Sequence, residues 1–155
     1  MTSPAIALKS KITGKPEPFG SDEALVRIRR FLEDRRVRTK NKPGSFADFE
    51  RDLHAKVMDF ERELVAEEMA CADIDAEAIV VDGVTYRRVL RCEETYFTAA
   101  GPVRVERTLY KDRTDETERS VSPMEQRLGV VEGRWTPLAA QLATWVVAHM
   151  TTQLG

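Results

Sequence analysis

Two histidines, two cysteines and a close pair of aspartates are the side chains best suited to metal binding or proton transfer, and their spacing favours neither. His54 and His149 stand far apart, with no cysteine beside them and no HExxH pattern, so neither zinc ligation nor general-base catalysis is predicted. Cys71 and Cys92 form no CxxC motif and have no partner pair. They read as reduced thiols rather than zinc ligands or a disulfide framework, and Cys71 has no evident activating base. Asp73 and Asp75 follow the end of a predicted helix, where such residues form turns. Trp135 and Trp145 offer faces that stack on bases, but core packing is the favoured reading of both.

The richer pattern is a basic run: Arg27, Arg29, Arg30, Arg35, Arg36, Arg38, Lys40 and Lys42, interrupted only by Glu33 and Asp34. On a helix, residues 27, 30, 34 and 38 share a face, so Arg27, Arg30 and Arg38 are placed to track a phosphate backbone. The competing reading is a solvated face paired with the acidic segment that follows, where individual surface ion pairs are worth little. A second basic set, Arg87, Arg88, Arg91, Arg104 and Arg107, falls on strands. A period of two puts Arg87 and Arg91 on one face with Val89, and Arg88 on the other. Arg107 lands on the apolar face of its strand, where it needs a carboxylate partner or must snorkel. A two-stranded ribbon can read a groove; a half-buried sheet is the commoner outcome.

The elements that carry these residues are legible. Met1 to Gly20 is punctuated by Pro4, Gly14, Pro16, Pro18 and Gly20 and reads as a mobile tail. Ser21 is a predicted N-cap with Asp22 and Glu23 in the first turn. Leu25, Ile28 and Leu32 then define a first helix of about four turns, broken at Asn41-Lys42-Pro43-Gly44. Ser45 with Asp48 forms a capping-box variant. Phe46, Phe49, Leu53, Val57, Phe60 and Leu64 trace one apolar stripe down a second helix, to about Ala70. Its brevity favours an amphipathic core helix over a long coiled coil.

From Ile79 the period becomes that of strands. Asp82-Gly83 is a hairpin signal between Ile79-Val80-Val81 and Val84-Thr85-Tyr86. The second strand continues to Phe97, Ala100-Gly101-Pro102 makes a turn, and Val103, Val105 and Leu109 alternate with polar residues. Lys111 to Glu118 reads as a polar loop. A short helix starts at Pro123 and ends at Gly129. Thr136, as N-cap before Pro137, opens the last helix. The predicted class is α+β, with long N-terminal helices, a small antiparallel hairpin or meander and C-terminal helices. The divisions are a disordered tail 1–20, a helical region 21–78, an antiparallel β region 79–122 and C-terminal helices 123–155.

Composition bounds the function classes. The chain has 155 residues, 42% hydrophobic and 32% charged, enough for one ordinary domain or two small subdomains sharing a core, with a heavily charged exterior. No apolar run approaches the ~18 residues of a membrane span, and no secretory signal pattern opens the chain; a cytoplasmic location is expected. The net charge of −2 conceals a polarity, because residues 1–44 carry 11 basic against 5 acidic residues while 45–78 carry 3 against 11. Only the first segment argues for nucleic acid.

Three phrases in register carry a resemblance: Val81-Asp82-Gly83-Val84-Thr85-Tyr86-Arg87-Arg88, Val105-Glu106-Arg107-Thr108-Leu109-Tyr110-Lys111-Asp112-Arg113, and Leu128-Gly129-Val130-Val131-Glu132-Gly133-Arg134-Trp135-Thr136-Pro137. Together, from about Phe46 to Met150, they resemble the N-terminal region of ISKra-type insertion-sequence transposases. In that family the region precedes a DDE nuclease domain whose acidic residues hold divalent metal for DNA strand cleavage and transfer. No residue here matches those catalytic acids. Ser122 stands where relatives often carry Cys, a position with no assigned role. Thr151 to Gly155 departs from the usual continuation and reads as a frameshifted or truncated remnant or a gene-call fragment.

The resemblance implies a non-catalytic, DNA-associated accessory region, with no cofactor in this chain and transposon ends as partner. The alternative is an interaction module, a homo-oligomer formed through the 45–70 helix without DNA contact. A metal-dependent nuclease in its own right lacks an acidic constellation in the sequence.

Overall fold

The computed structural model describes residues 20–41, 44–112, 114 and 119–151; the predicted tail up to residue 19, Lys42 and most of the polar loop after Asp112 lie outside them. The element order is α1 (Gly20–Asn41), α2 (Phe46–Ala72), β1 (Ala78–Val81), β2 (Val84–Thr98), β3 (Gly101–Asp112), α3 (Pro123–Leu128) and α4 (Pro137–Thr151). The class is α+β, as expected. The strands form one antiparallel sheet in the order β1-β2-β3.

Ser45 caps α2 as the capping-box pattern predicts, its side chain accepting from the Asp48 amide, which satisfies one of the helix's orphan donors. α1 is longer than its three apolar residues suggest. It spans 22 residues and opens at Gly20, so Ser21 lies inside the first turn rather than capping it. The residues from Glu33 to Arg38 are mostly good helix formers, and packing against α2 stabilises the extension. Arg27 reaches Glu63 and Arg35 lies over Phe49, so the two helices run antiparallel.

The remainder of α2 reaches the sheet. Met69 packs with Tyr96, Val103, Val105 and Met124 in the principal core, each such burial stabilising by about 1.5–3 kcal/mol. Asp73 ends the helix and does more than form a turn. Its carboxylate accepts the Thr108 amide at 3.0 Å and the Thr108 hydroxyl at 2.8 Å. A second core then gathers Ile74, Ile79 and Tyr110. The Tyr110 hydroxyl donates to the Ile74 carbonyl at 2.6 Å and accepts the Ala76 amide at 3.0 Å, tying the α2–β1 connection to β3.

The Asp82-Gly83 turn has both residues at positive φ, 50° and 82°, the type I′ geometry that matches strand twist. The β2–β3 turn differs from expectation: it is made by Ala99 and Ala100, and β3 already begins at Gly101. The Thr98 hydroxyl donates to the Gly101 carbonyl at 2.6 Å, and Gly101 takes a φ of 113°, which a side chain would resist. α3 follows its signals closely, with Pro123 in the first turn and Gly129 left-handed at the C-cap, and the structure adds Ser122 as its N-cap. At α4, Thr136 behaves differently: its hydroxyl lies 3.3 Å from the Phe97 carbonyl and donates to it, because residues 134–136 pair with β2 at Phe97.

Candidate nucleic-acid interface

The basic run of α1 divides into three groups once the helix has a neighbour. Arg27 pairs with Glu63 on α2 and lies 4.0 Å from Glu23. The Arg35 guanidinium sits 3.5 Å from the centroid of the Phe49 ring, a cation–π contact. These two arginines hold α1 on α2, as the competing reading of the run anticipated for part of it. Arg30 and Arg38 are exposed on one flank of that seam, by helical period, together with Asp34. Arg29 and Arg36 are exposed on the opposite flank, alongside Leu25 and Leu32. Lys40 belongs to the last turns of α1, and Lys42 is outside the described residues.

The strand arginines do not form the split set that a period of two predicts. The register between β2 and β3 shifts between Arg88 and Leu90, a bulge at Val89 that restarts the alternation. Arg88 and Arg91 are thereby brought together on Asp75, Arg91 at 3.5 Å, and Arg91 also reaches Glu106 at 3.4 Å. Arg87 is exposed opposite Lys111 in the register and does not share a face with Arg91. Arg104 pairs across the strands with Glu93 at 3.4 Å. Asp75 is therefore an anchor for two arginines, a role that residue spacing along one strand does not disclose.

Arg107 is a largely embedded charge, its side chain 16% exposed. Its Nη2 donates to Glu94 at 2.8 Å and its Nη1 to Glu125, confirming the need for a carboxylate that its apolar-face position implied. The Tyr96 hydroxyl, fully buried, donates to the same Glu125 oxygen at 2.7 Å. The Arg107 Nε is buried without a hydrogen-bond partner. Burial is the largest influence and opposes the guanidinium charge, but the neighbouring groups together, Glu125 foremost and then Tyr96, outweigh it and hold the group above its ordinary value. Burial first, then the hydrogen bond and charge of Glu125, push the Tyr96 phenol well up. This network joins β2, β3 and α3 and is largely withdrawn from solvent; it is a structural clamp.

His54 is exposed on α2, while His149 stacks on Trp145 with centroids 4.0 Å apart. Among the described residues there is no group of three or more His, Cys, Asp or Glu placed to hold a metal ion, and no helix long and apolar enough to cross a membrane. Trp135 packs on Phe97 at 5.0 Å but stays 37% exposed, so it lies outside the core. Trp145 corrects the expectation of core packing, being 60% exposed. α4 presents Leu138, Leu142, Val146, Val147 and Met150 to solvent as well. Its lack of any acidic or basic residue but His149 is the sequence signal that could have marked this surface. Likewise, half of the α2 stripe, Phe46, Val57 and Leu64, is exposed, because α1 covers only one side of it.

Comparisons of the chain with protein-family models, with curated proteins and with solved structures gave no match.

Proposed function

We propose that this chain is a non-catalytic accessory region of an insertion-sequence transposase, one that lies along a DNA backbone through α1 while a DDE catalytic domain supplies the chemistry. The transposase part rests on the three sequence phrases. The DNA part rests on one observation: with Arg27 and Arg35 committed to α2, Arg30 and Arg38 remain exposed on a common flank of α1. Eight residues apart, they span roughly 12 Å of helix, over which one DNA strand presents three or four phosphates at ~3.4 Å each along the duplex axis. Asp34 on the same flank reduces the positive field without cancelling it.

The test is a fluorescence-anisotropy titration of duplex DNA at several salt concentrations. Affinity should fall steeply with salt, and Arg30→Gln with Arg38→Gln should lessen the slope of log K against log salt by about 0.9 for each phosphate no longer neutralised. No binding at low salt removes the DNA reading.

A further inference from the structure

The other flank of the helical hairpin carries a pattern of its own. Leu25, Arg29, Leu32 and Arg36 recur along α1 at steps of 4, 3 and 4 residues, a single stripe about a quarter turn from the seam with α2. Leu25 and Leu32 are 53% and 40% exposed and, with both arginines, help line one groove. On α2, Glu50, Val57, Glu61 and Leu64 form a second stripe, also about a quarter turn from the seam, with Val57 and Leu64 exposed. Because the helices are antiparallel and the turn is in the same rotational sense on each, both stripes face the same side of the hairpin. One is apolar and basic, the other apolar and acidic.

We propose that this side is an interface for a second copy of the chain, with the two-fold axis running along the hairpin so that α1 of each copy lies on α2 of the other. Such an axis preserves height along the helices. The heights follow from the pairings within one copy, Arg27 opposite Glu63 and Arg35 opposite Phe49. Leu25 then meets Leu64 of the second copy, Arg29 meets Glu61, Leu32 meets Val57 and Arg36 meets Glu50. All of these pairings are matched in polarity and occur twice by symmetry. A two-fold axis across the hairpin would instead stack α1 on α1 and oppose arginine to arginine, which like-charge repulsion disfavours. The result is a four-helix bundle whose apolar stripes are covered, and Arg30 and Arg38 stay on its outside. The inference does not depend on the DNA reading.

Charge reversal tests it on the full-length chain. Sedimentation equilibrium should show a dimer. The pair Arg29→Glu/Arg36→Glu makes α1 acidic against acidic α2, and Glu50→Arg/Glu61→Arg makes α2 basic against basic α1. Each variant alone should dimerise at least roughly a hundredfold more weakly. Mixing the two should restore a heterodimer, since one α1–α2 pairing is then acidic on basic and the other basic on acidic. Arg29, Arg36 and Glu50 are exposed and Glu61 is half-buried, and circular dichroism verifies that the helices persist; if a double variant loses them, the single reversals Arg29→Glu and Glu61→Arg are mixed in the same way. A monomeric wild type, dimers undiminished in both reversal variants, or folded variants that fail to associate on mixing would each overturn the proposal. Arg30→Gln/Arg38→Gln should leave the dimer intact while weakening DNA binding, so the two readings fail separately.

Discussion

Arg107 and Arg27 both pair with glutamate, yet they do different work because one lies inside the molecule and the other on its surface. Arg107 and its partners Glu94 and Glu125 have side chains only 16%, 26% and 18% exposed, and Tyr96 completes the group from full burial. Removing any member leaves another without compensation in a poorly solvated site. Arg27 and Glu63 keep 50% and 39% exposure, so water replaces either partner at small cost. The sheet end of the molecule, where α2, α3, β2 and β3 converge, is therefore specified by a closed network. The helical hairpin and α4 retain charged and apolar surface that can engage something else.

The sharpest way to break this contrast is Arg107→Met. It strands two mostly buried carboxylates, and urea unfolding followed by circular dichroism should show a loss of about 3–5 kcal/mol. A loss no larger than that of a surface pair would mean the network is not the clamp described. Tyr96→Phe should cost less, about 1.5–3 kcal/mol, for a hydrogen bond to a charged group. The same residue sets an alkaline limit. Its phenol is held neutral in the fold by burial and Glu125, so its contribution is complete below the ordinary phenol value of about 10. Above that pH the unfolded chain ionises first and the wild-type stability should decline. Tyr96→Phe should lose stability less steeply over the same alkaline range. At the small end, Arg27→Gln should shift stability by no more than about 1 kcal/mol, and any deficit should shrink as salt screens the pair. A large effect there would erase the difference between the two regions.

Much of the fold was legible because its signals are local. Ser45, Pro123 and Gly129 mark helix ends through backbone chemistry within a few residues, and Asp82-Gly83 carries the φ values of its turn. The demand that Arg107 find a carboxylate was also readable, from its place in an apolar alternation. Which carboxylates answer it was not, since Glu94 and Glu125 are 13 and 18 residues away. The bulge at Val89 was equally hidden: no glycine or proline marks it, and one extra residue reverses the facing of every arginine on one side of it. Exposure misled in the opposite direction at Trp145 and along the α2 stripe. An apolar residue reports a preference for burial, but whether a neighbour arrives to cover it depends on the rest of the chain.

By itself, the sequence determined the order of the helices and strands and their bounds to within a turn or two, that the class is α+β, and that positive charge concentrates in α1 ahead of an acidic α2. These follow from capping, periodicity and composition, all properties of contiguous residues. Only the tertiary structure decided how the arginines are allotted: Arg27 and Arg35 to the hairpin seam, Arg88 and Arg91 to Asp75, Arg107 to a buried clamp, and Arg29, Arg30 and Arg38 to solvent. An ion pair is a statement about two positions in space, and the chain brings those positions together only by folding.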